Sequence, residues 1–397
     1  MIFLNFGILL LIQNILSLRI STTTASYADH TSFEHNSGRV KRAFRKDRLV
    51  NRWEFPIKYY VDEKNGLNGT KIEEALEEIS NNTCITFQRQ DKRIVNEPGI
   101  NVVNAERCAS FVGLLDPNAS QELSLTEWCL DKGEVQREFS YALGFVSEVR
   151  RYDRDKYITI YEKNIDSRSK RLFKKYSKEE LETYGVPYDL GSLLQFKIGE
   201  YRIPQSNYEM ISNDPNYFKT IGQDSGLQFN DYKQLNLHYC NDTCKNKILE
   251  KDCQRGGYQD PKICSRCRCP RHFRGFYCDK KMKKLERCEK QYYKANDTIQ
   301  YINQKGNMDC YYYITTDKNS KINITIVDSL LYKPIYSYTC PVGKGLEIKY
   351  RKNPTIMGAM FCSKNTNTKM TSESNDVSIH FAGQENDNFI KIAFVKA

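Results

Sequence analysis

The sequence predicts an α+β protein in which a mixed helix–strand domain precedes a small cysteine-dense module and a β-rich C-terminal domain. Three observations carry this. Within the first 240 residues, apolar positions recur at both helical and strand-like spacing. Six cysteines, Cys244, Cys253, Cys264, Cys267, Cys269 and Cys278, crowd into 35 residues. From Cys288 onward, short strand-like runs alternate with polar turns. A chain of 397 residues has the length of two or three domains. Its 12% aromatic and 27% charged residues suit a globular protein with a real core. Fourteen cysteines, an even number at short spacings, imply a disulfide framework and hence secretion. The net charge of +11 favours acidic partners. Outside the cell, nucleic acid is not among them.

Residues 1–18 are apolar but too short and too polar (Asn5, Gln13, Asn14) for a membrane span. They are expected to be a signal peptide, although no positive charge opens them; a retained signal anchor is the alternative. No later segment approaches 18 apolar residues, so a soluble mature protein is expected. Residues 19–42 are polar and Ser/Thr-rich without periodicity, as in a propeptide. They end on Arg39-Val40-Lys41-Arg42, a basic site of the kind cut by furin-like proteases. Cleavage after Arg42 would expose Ala43; a solvated charge run is the bland reading.

In the mixed domain, Ile72, Ala75, Leu76 and Ile79 mark one face of a helix within Gly69 to Cys84. Cys84 to Phe87 and Ile100 to Val103 are expected strands. The stretch around which the chain is organised is Cys129 to Ile160, centred on residues 137–148, REFSYALGFVSE. Positions 137 and 141 share a helix face and could grip one ion together. Gly144 suits a left-handed exit from the helix, after which residue 147 returns.

This stretch resembles the active-site helix of the astacin family of secreted zinc endopeptidases. The metzincin pattern is His-Glu-x-x-His-x-x-Gly-x-x-His, which astacins continue with Glu-x-x-Arg-x-Asp-Arg-Asp. Glu138, Gly144, Glu148, Arg151, Asp153, Arg154 and Asp155 match it. The three zinc-ligand positions hold Arg137, Tyr141 and Ser147 instead. Glu138 occupies the general-base position, which takes a proton from zinc-bound water. Arg137 has no lone pair to donate. Its charge about 4 Å from a dication would be repelled by roughly 8 kcal/mol at an effective dielectric of ~20. Tyr141 and Ser147 are hydroxyls, whereas zinc sites use Cys, His, Asp and Glu. The chain's five histidines are His30, His35, His238, His272 and His380, none between Ala43 and Leu237. No metal is therefore expected at this helix; zinc is expected only if the family activity is retained.

The resemblance covers residues 43–240. Trp53, Pro56 and Tyr59 fit the opening strand, and an edge strand above the cleft is expected near Ser110 to Gly113. Phe139, Ala142, Leu143 and Phe145 should pack the active helix on the core. Tyr188 to Phe196 resembles the Met-turn, Tyr-Asp-x-x-Ser-x-Met-His-Tyr, with Leu194 in place of Met and Phe196 in place of a zinc-reaching tyrosine. Asp214 to Tyr217 and Thr220 to Leu227 close the domain in family style. The zinc-capping propeptide motif Phe-x-Gly-Asp finds only Phe33-Glu34-His35-Asn36. By resemblance, the new N-terminus is buried near Glu148. Bonds Cys84–Cys240 and Cys108–Cys129 are implied.

Residues 241–279 resemble an EGF-like module, which implies Cys244–Cys264, Cys253–Cys267 and Cys269–Cys278; zinc binding by the Cys-x-x-Cys run is the alternative. Residues 288–397 resemble a CUB β-sandwich, implying Cys288–Cys310 and Cys340–Cys362, with strands at Tyr311 to Thr315, Ile322 to Val327, Leu346 to Tyr350 and Phe389 to Phe394. Six sequons, at Asn68, Asn81, Asn118, Asn241, Asn296 and Asn323, are glycosylation candidates. Lys245 to Lys290 holds fifteen Lys/Arg against six Asp/Glu, a basic collar that is either a solvated surface or an attachment site for acidic matrix glycans or acidic proteins.

Two functions follow. One is a secreted pseudoprotease that binds extracellular proteins or peptides without cutting them. The other is an active zinc endopeptidase cleaving extracellular proteins. A matrix adhesion protein acting mainly through its EGF-like and CUB domains is a third class. In the first reading, Arg137 supplies a fixed cation able to hold a peptide carboxylate bidentately; the bland alternative is a surface arginine in a collapsed cleft.

Overall fold

The computed structural model describes Phe44, residues 52–335 and residues 338–397. The expected signal peptide, the propeptide and the Arg42–Ala43 cleavage site lie outside the described residues. Among the described residues, no helix is long and apolar enough to cross a membrane.

The N-terminal domain is built on a five-stranded sheet: β1 (Ile57–Val61), β2 (Phe87–Gln90), β3 (Gly99–Asn104), β4 (Ala109–Ser110) and β5 (Ser120–Leu125). Their spatial order is β2-β1-β3-β5-β4, parallel except for the edge strand β4. The period-2 alternation of β1 sends Ile57, Tyr59 and Val61 into the core. Helix α1 (Gly69–Asn82) buries Ile72, Ala75, Leu76 and Ile79, and the Asn68 side chain caps its start by accepting from the Lys71 amide. The expected strand from Cys84 begins only at Phe87. The backbone before it is already committed, because the Cys84 amide points to Cys240 Sγ and the Ile85 amide donates to Thr83 Oγ1. The edge strand likewise ends at Ser110, since the Gly113 amide turns to the Tyr141 carbonyl at 2.9 Å.

Helix α2 (Lys132–Ala142) crosses this sheet, and helix α3 (Phe229–Tyr239) closes the domain. Phe139, Ala142, Leu143 and Phe145 are all buried. A Cβ on Gly133 would stand 1.9 Å from the Asp224 carbonyl oxygen, so only glycine lets α2 approach that segment. Gly144 ends the helix region at φ +103°, the left-handed conformation glycine tolerates best.

The cysteine-dense module is held by Cys244–Cys264, Cys253–Cys267 and Cys269–Cys278. Two short ladders, Tyr258–Gln259 with Cys267–Arg268 and Phe273–Arg274 with Lys280–Lys281, complete it. Cys84–Cys240, Cys108–Cys129, Cys288–Cys310 and Cys340–Cys362 are also bonded, leaving no sulfur for a thiolate metal site among the described residues.

The C-terminal domain is a two-sheet sandwich. One sheet runs Tyr292–Lys294, Asp309–Thr315, Asp376–Ala382, Gly345–Lys349, Ala359–Phe361; the other runs Gln300–Lys305, Phe389–Lys396, Ile322–Leu330, Lys364–Thr371. The asparagines of all six sequons are exposed.

The three parts interlock. The second apolar core runs from Val149, Tyr188, Leu190, Phe196 and Tyr217 of the first domain straight into Ile314, Ile348 and Phe361 of the sandwich. The Met357 amide donates to both carboxylate oxygens of Asp189 at 3.1–3.2 Å, and Tyr217 Oη donates to the Met357 carbonyl at 2.9 Å. Gly191 makes this seat possible, since a Cβ there would meet Met357 Sδ at 2.3 Å. The cysteine-dense module is wedged alongside, with Arg268 Nη1 donating to Asn82 Oδ1 at 3.0 Å.

Candidate active site

Helix α2 presents Arg137, Glu138 and Tyr141 to the position where the family pattern would hold a metal, and the chain returns Ser147 to it after the Gly144 turn. Tyr141 Oη and Ser147 Oγ are hydrogen-bonded to each other at 3.0 Å. Two would-be ligands thus satisfy one another. Arg137 is only 4% exposed. Its Nε lies 3.6 Å from Glu134 Oε2, one helical turn back, while Nε and Nη2 make no hydrogen bond. Glu134 also receives Lys197 Nζ at 2.9 Å. Burial opposes the arginine's charge, yet Glu134 and Glu200 outweigh it and raise its pKa further. Arg137 is therefore not a surface arginine, which corrects that expectation for it.

Glu138 is buried as well. Burial pushes its carboxyl up to about 8 even though the Arg137 charge pulls the other way. Burial likewise raises the Tyr141 phenol above its ordinary value, so it stays a neutral hydroxyl at physiological pH. A zinc ion needs anionic or neutral lone pairs converging on it. Here an obligate cation and a mutually bonded hydroxyl pair occupy all three positions, so the residues present do not fit zinc.

The site is also covered. Leu194 and Phe196 are buried, and the Phe196 ring packs against Tyr201 at 4.8 Å and Phe173 at 5.5 Å. Tyr201 and Glu200 belong to the loop that follows Phe196. Glu209 ties that loop down, its carboxylate accepting from the amides of Gly199 and Tyr201. Both side chains act electrostatically on Arg137 and Tyr141. Sequence reasoning missed Glu200, Tyr201 and Lys197. The only signal was their position directly after the Met-turn segment, since nothing local says the loop folds back.

The surrounding motif residues are heavily used. Arg151 donates bidentately to Asp153 at 2.9 Å, to Glu148 Oε1 at 3.2 Å and to the carbonyls of Val186 and Pro187. The Asp189 amide donates to Glu148 Oε1 at 3.1 Å. Asp189 itself accepts from the amides of Gly191 and Met357 and from Asn230 Nδ2. Ala43 lies outside the described residues. Phe44, next to it, is buried, bridges to Phe145 and stacks on His238 at 3.9 Å.

A second cluster of metal-ligating types, His272, Glu347 and His380, lies between the cysteine-dense module and the sandwich. It is already satisfied. Glu347 Oε2 accepts from Arg271 at 2.9 Å and pairs with His272 Nε2 at 3.1 Å, and Oε1 accepts from the Gly358 amide. Lys349 approaches the same carboxylate at 4.0 Å. A dication there would face two fixed cations, so the cluster is an interdomain clamp.

The fold and the site together define a zinc-endopeptidase scaffold whose metal-binding positions hold other side chains. Residues 45–240 match the Astacin peptidase family, and through this domain the chain belongs to that family. It is 30% identical over 343 residues to zinc metalloproteinase nas-34 of Caenorhabditis elegans, covering 86% of this chain and 55% of that protein. It is 38% identical over 256 residues to zinc metalloproteinase dpy-31 of Brugia malayi, covering 64% of this chain and 42% of that protein. The chain thus spans about half the length of these curated relatives. Among solved structures, the hatching enzyme HCE-1 of Oryzias latipes is similar at 29% identity over 46% of this chain and 89% of its own, with a TM-score of 0.41. The CUB2 domain of MASP-1 is similar at 14% identity over 27% of this chain and 99% of its own, with a TM-score of 0.23.

Proposed function

We propose that this chain is a catalytically inactive, secreted astacin-family protein that acts outside the cell by binding. The observation that carries the reading is the Tyr141–Ser147 hydrogen bond beside a buried Arg137, at the three positions where the family ligates zinc. In the family the metal lowers the pKa of bound water from about 16 to about 7. Without it, roughly 12 kcal/mol of nucleophile activation is lost at ~1.4 kcal/mol per unit. Glu138 cannot replace that, least of all with its pKa raised to about 8, where much of it is protonated at neutral pH. The motif residues that do match, Glu148, Arg151, Asp153 and Asp189, have structural work that needs no catalysis.

A working zinc endopeptidase cleaving extracellular proteins is the second reading, supported by the family and by relatives that carry the name zinc metalloproteinase. Metal analysis of the purified protein separates the two. The expected result is zinc far below one equivalent and no peptidase activity above a Glu138→Gln control. Near-stoichiometric zinc lost in Tyr141→Phe would overturn the proposal. The combined substitution Arg137→His, Tyr141→His and Ser147→His should introduce metal uptake, because Gly144 and the helix frame are in place.

A further inference from the structure

The basic collar divides into two sets when the partners of its charges are traced. Several cations are engaged inside the protein. Arg266 and Arg268 share Asp260 at 3.0 and 3.1 Å, Arg271 holds Glu347 at 2.9 Å, and Arg255 faces Asp376 at 3.6 Å. Lys281 lies over the rings of Tyr313 and Tyr292 at 4.6 and 5.4 Å. These residues position the module and have little charge to offer a partner.

The second set lies in the link to the sandwich. Lys280, Lys283, Lys284 and Arg287 are exposed and form no ion pair among the described residues; Lys290 is exposed too, with its Nζ over the Tyr293 ring at 5.4 Å. The link is not a loose tether. Lys280 pairs with Arg274 in a β-ladder, the Met282 amide donates to Tyr313 Oη at 2.9 Å, Gln291 Nε2 donates to the Met282 carbonyl at 2.9 Å, and Cys288 is bonded to Cys310. The cations are therefore displayed along a backbone that is already ordered, which lowers the entropy lost on binding.

We propose that this link, Lys280 to Lys290, is a binding strip for a linear sulfated glycan. Within it, Lys280 to Arg287 is a Lys/Arg-rich run of about eight residues, a pattern associated with heparin patches. The exposed cations are spread along the link: Lys280 sits in the β-ladder, Lys283 and Lys284 follow it, and Arg287 lies in the turn where the Cys288 amide donates to the Leu285 carbonyl at 3.0 Å. Cations spread over several residues suit a polymer with repeated sulfates better than a single phosphate. An anionic lipid surface fits less well, because Leu285 is the one large apolar side chain exposed within the strip. The proposal stands whether or not the active site is functional.

The test uses the full secreted chain on immobilised heparin at physiological salt (~0.15 M), with phosphatidylserine vesicles as a second probe. Combining Lys280→Gln, Lys283→Gln, Lys284→Gln and Arg287→Gln should weaken heparin binding by roughly tenfold or more and flatten its salt dependence. Combining Lys247→Gln, Lys251→Gln and Lys262→Gln, exposed cations elsewhere on the module, should change it by less than about twofold. Lys280→Arg with Lys283→Arg and Lys284→Arg should retain binding, which guards against a folding defect. Absence of heparin binding by the unaltered chain, equal losses in both glutamine variants, loss in the arginine variant, or binding to vesicles without binding to heparin would each overturn the proposal.

Discussion

Two sets of residues in the family's active-site motifs behave oppositely. Arg137, Tyr141 and Ser147 depart from the family motif, and what they form is local: one hydroxyl pair and one ion pair across a helical turn. Glu148, Arg151, Asp153 and Asp189 match the family pattern and form one network across the domain, in which Arg151 joins Glu148 and Asp153 to the Val186 and Pro187 carbonyls and Glu148 accepts from the Asp189 amide. Asp189 even reaches the C-terminal sandwich through the Met357 amide. The difference teaches that half of an active-site motif can be architecture. Residues that served only the metal are free to change, while those that join turn, loop and neighbouring domain are held by the cost of unpaired buried charge.

The largest expected effect tests the architectural half. Arg151 is 1% exposed and serves two carboxylates and two carbonyls. Arg151→Met would leave Glu148 buried without its counter-charge, which typically costs about 3–5 kcal/mol. Denaturant unfolding of the purified variant, or a collapse of its secreted yield, reads this. A loss below about 1 kcal/mol would break the comparison by showing that the network is decorative.

The next effect sharpens the other half through pH. Glu138 is raised by burial from its ordinary value to about 8. Between the unfolded pKa near 4.5 and about 8, the folded protein holds a proton that the unfolded chain releases. Stability from this group is thus fully present below about 4.5 and is lost as pH rises through 8. From pH 5 to pH 8 the unaltered protein should lose about 3 kcal/mol more than Glu138→Gln, at ~1.4 kcal/mol per unit. Parallel stability–pH curves for the two proteins would mean that Glu138 is solvated and the cleft is open.

Much of the scaffold was legible because it rests on local pattern. The i, i+3, i+4, i+7 spacing of Ile72, Ala75, Leu76 and Ile79 marks α1 whatever lies around it. The expected strands at Ile322 and Phe389 are recognisable because their buried residues alternate. Lys364–Thr371 was not recognisable: it is a polar edge strand whose hydrogen bonds, not its side chains, place it in the sheet. The covering of the site was equally hidden. That Arg137 is buried follows from Glu134, Lys197, Glu200 and Tyr201 gathering there, and the last three arrive by a loop some sixty residues downstream. A guanidinium read from sequence alone defaults to the surface, because Glu134 one turn away does not by itself make its burial tolerable and Glu200 is not its neighbour in the chain.

The smallest expected effect is the sharpest contrast with Arg151. Arg137→Met keeps side-chain length and removes a buried guanidinium whose Nε and Nη2 make no hydrogen bond. Its partner Glu134 is not stranded, since Lys197 stays at 2.9 Å and the carboxylate is partly exposed. Replacing a poorly bonded buried charge by an apolar group of similar size is often neutral or stabilising. The expected change is within about 1 kcal/mol of the unaltered protein, against several for Arg151→Met. The substitution also removes the charge that lowers Glu138, so the carboxyl should titrate even higher. If Arg137→Met instead costs as much as Arg151→Met, the guanidinium is itself architectural, offsetting Glu134, Glu138 and Glu200 where a metal's charge would otherwise stand. The substituted positions would then belong with the retained ones, and the division between the two halves of the motif would fail.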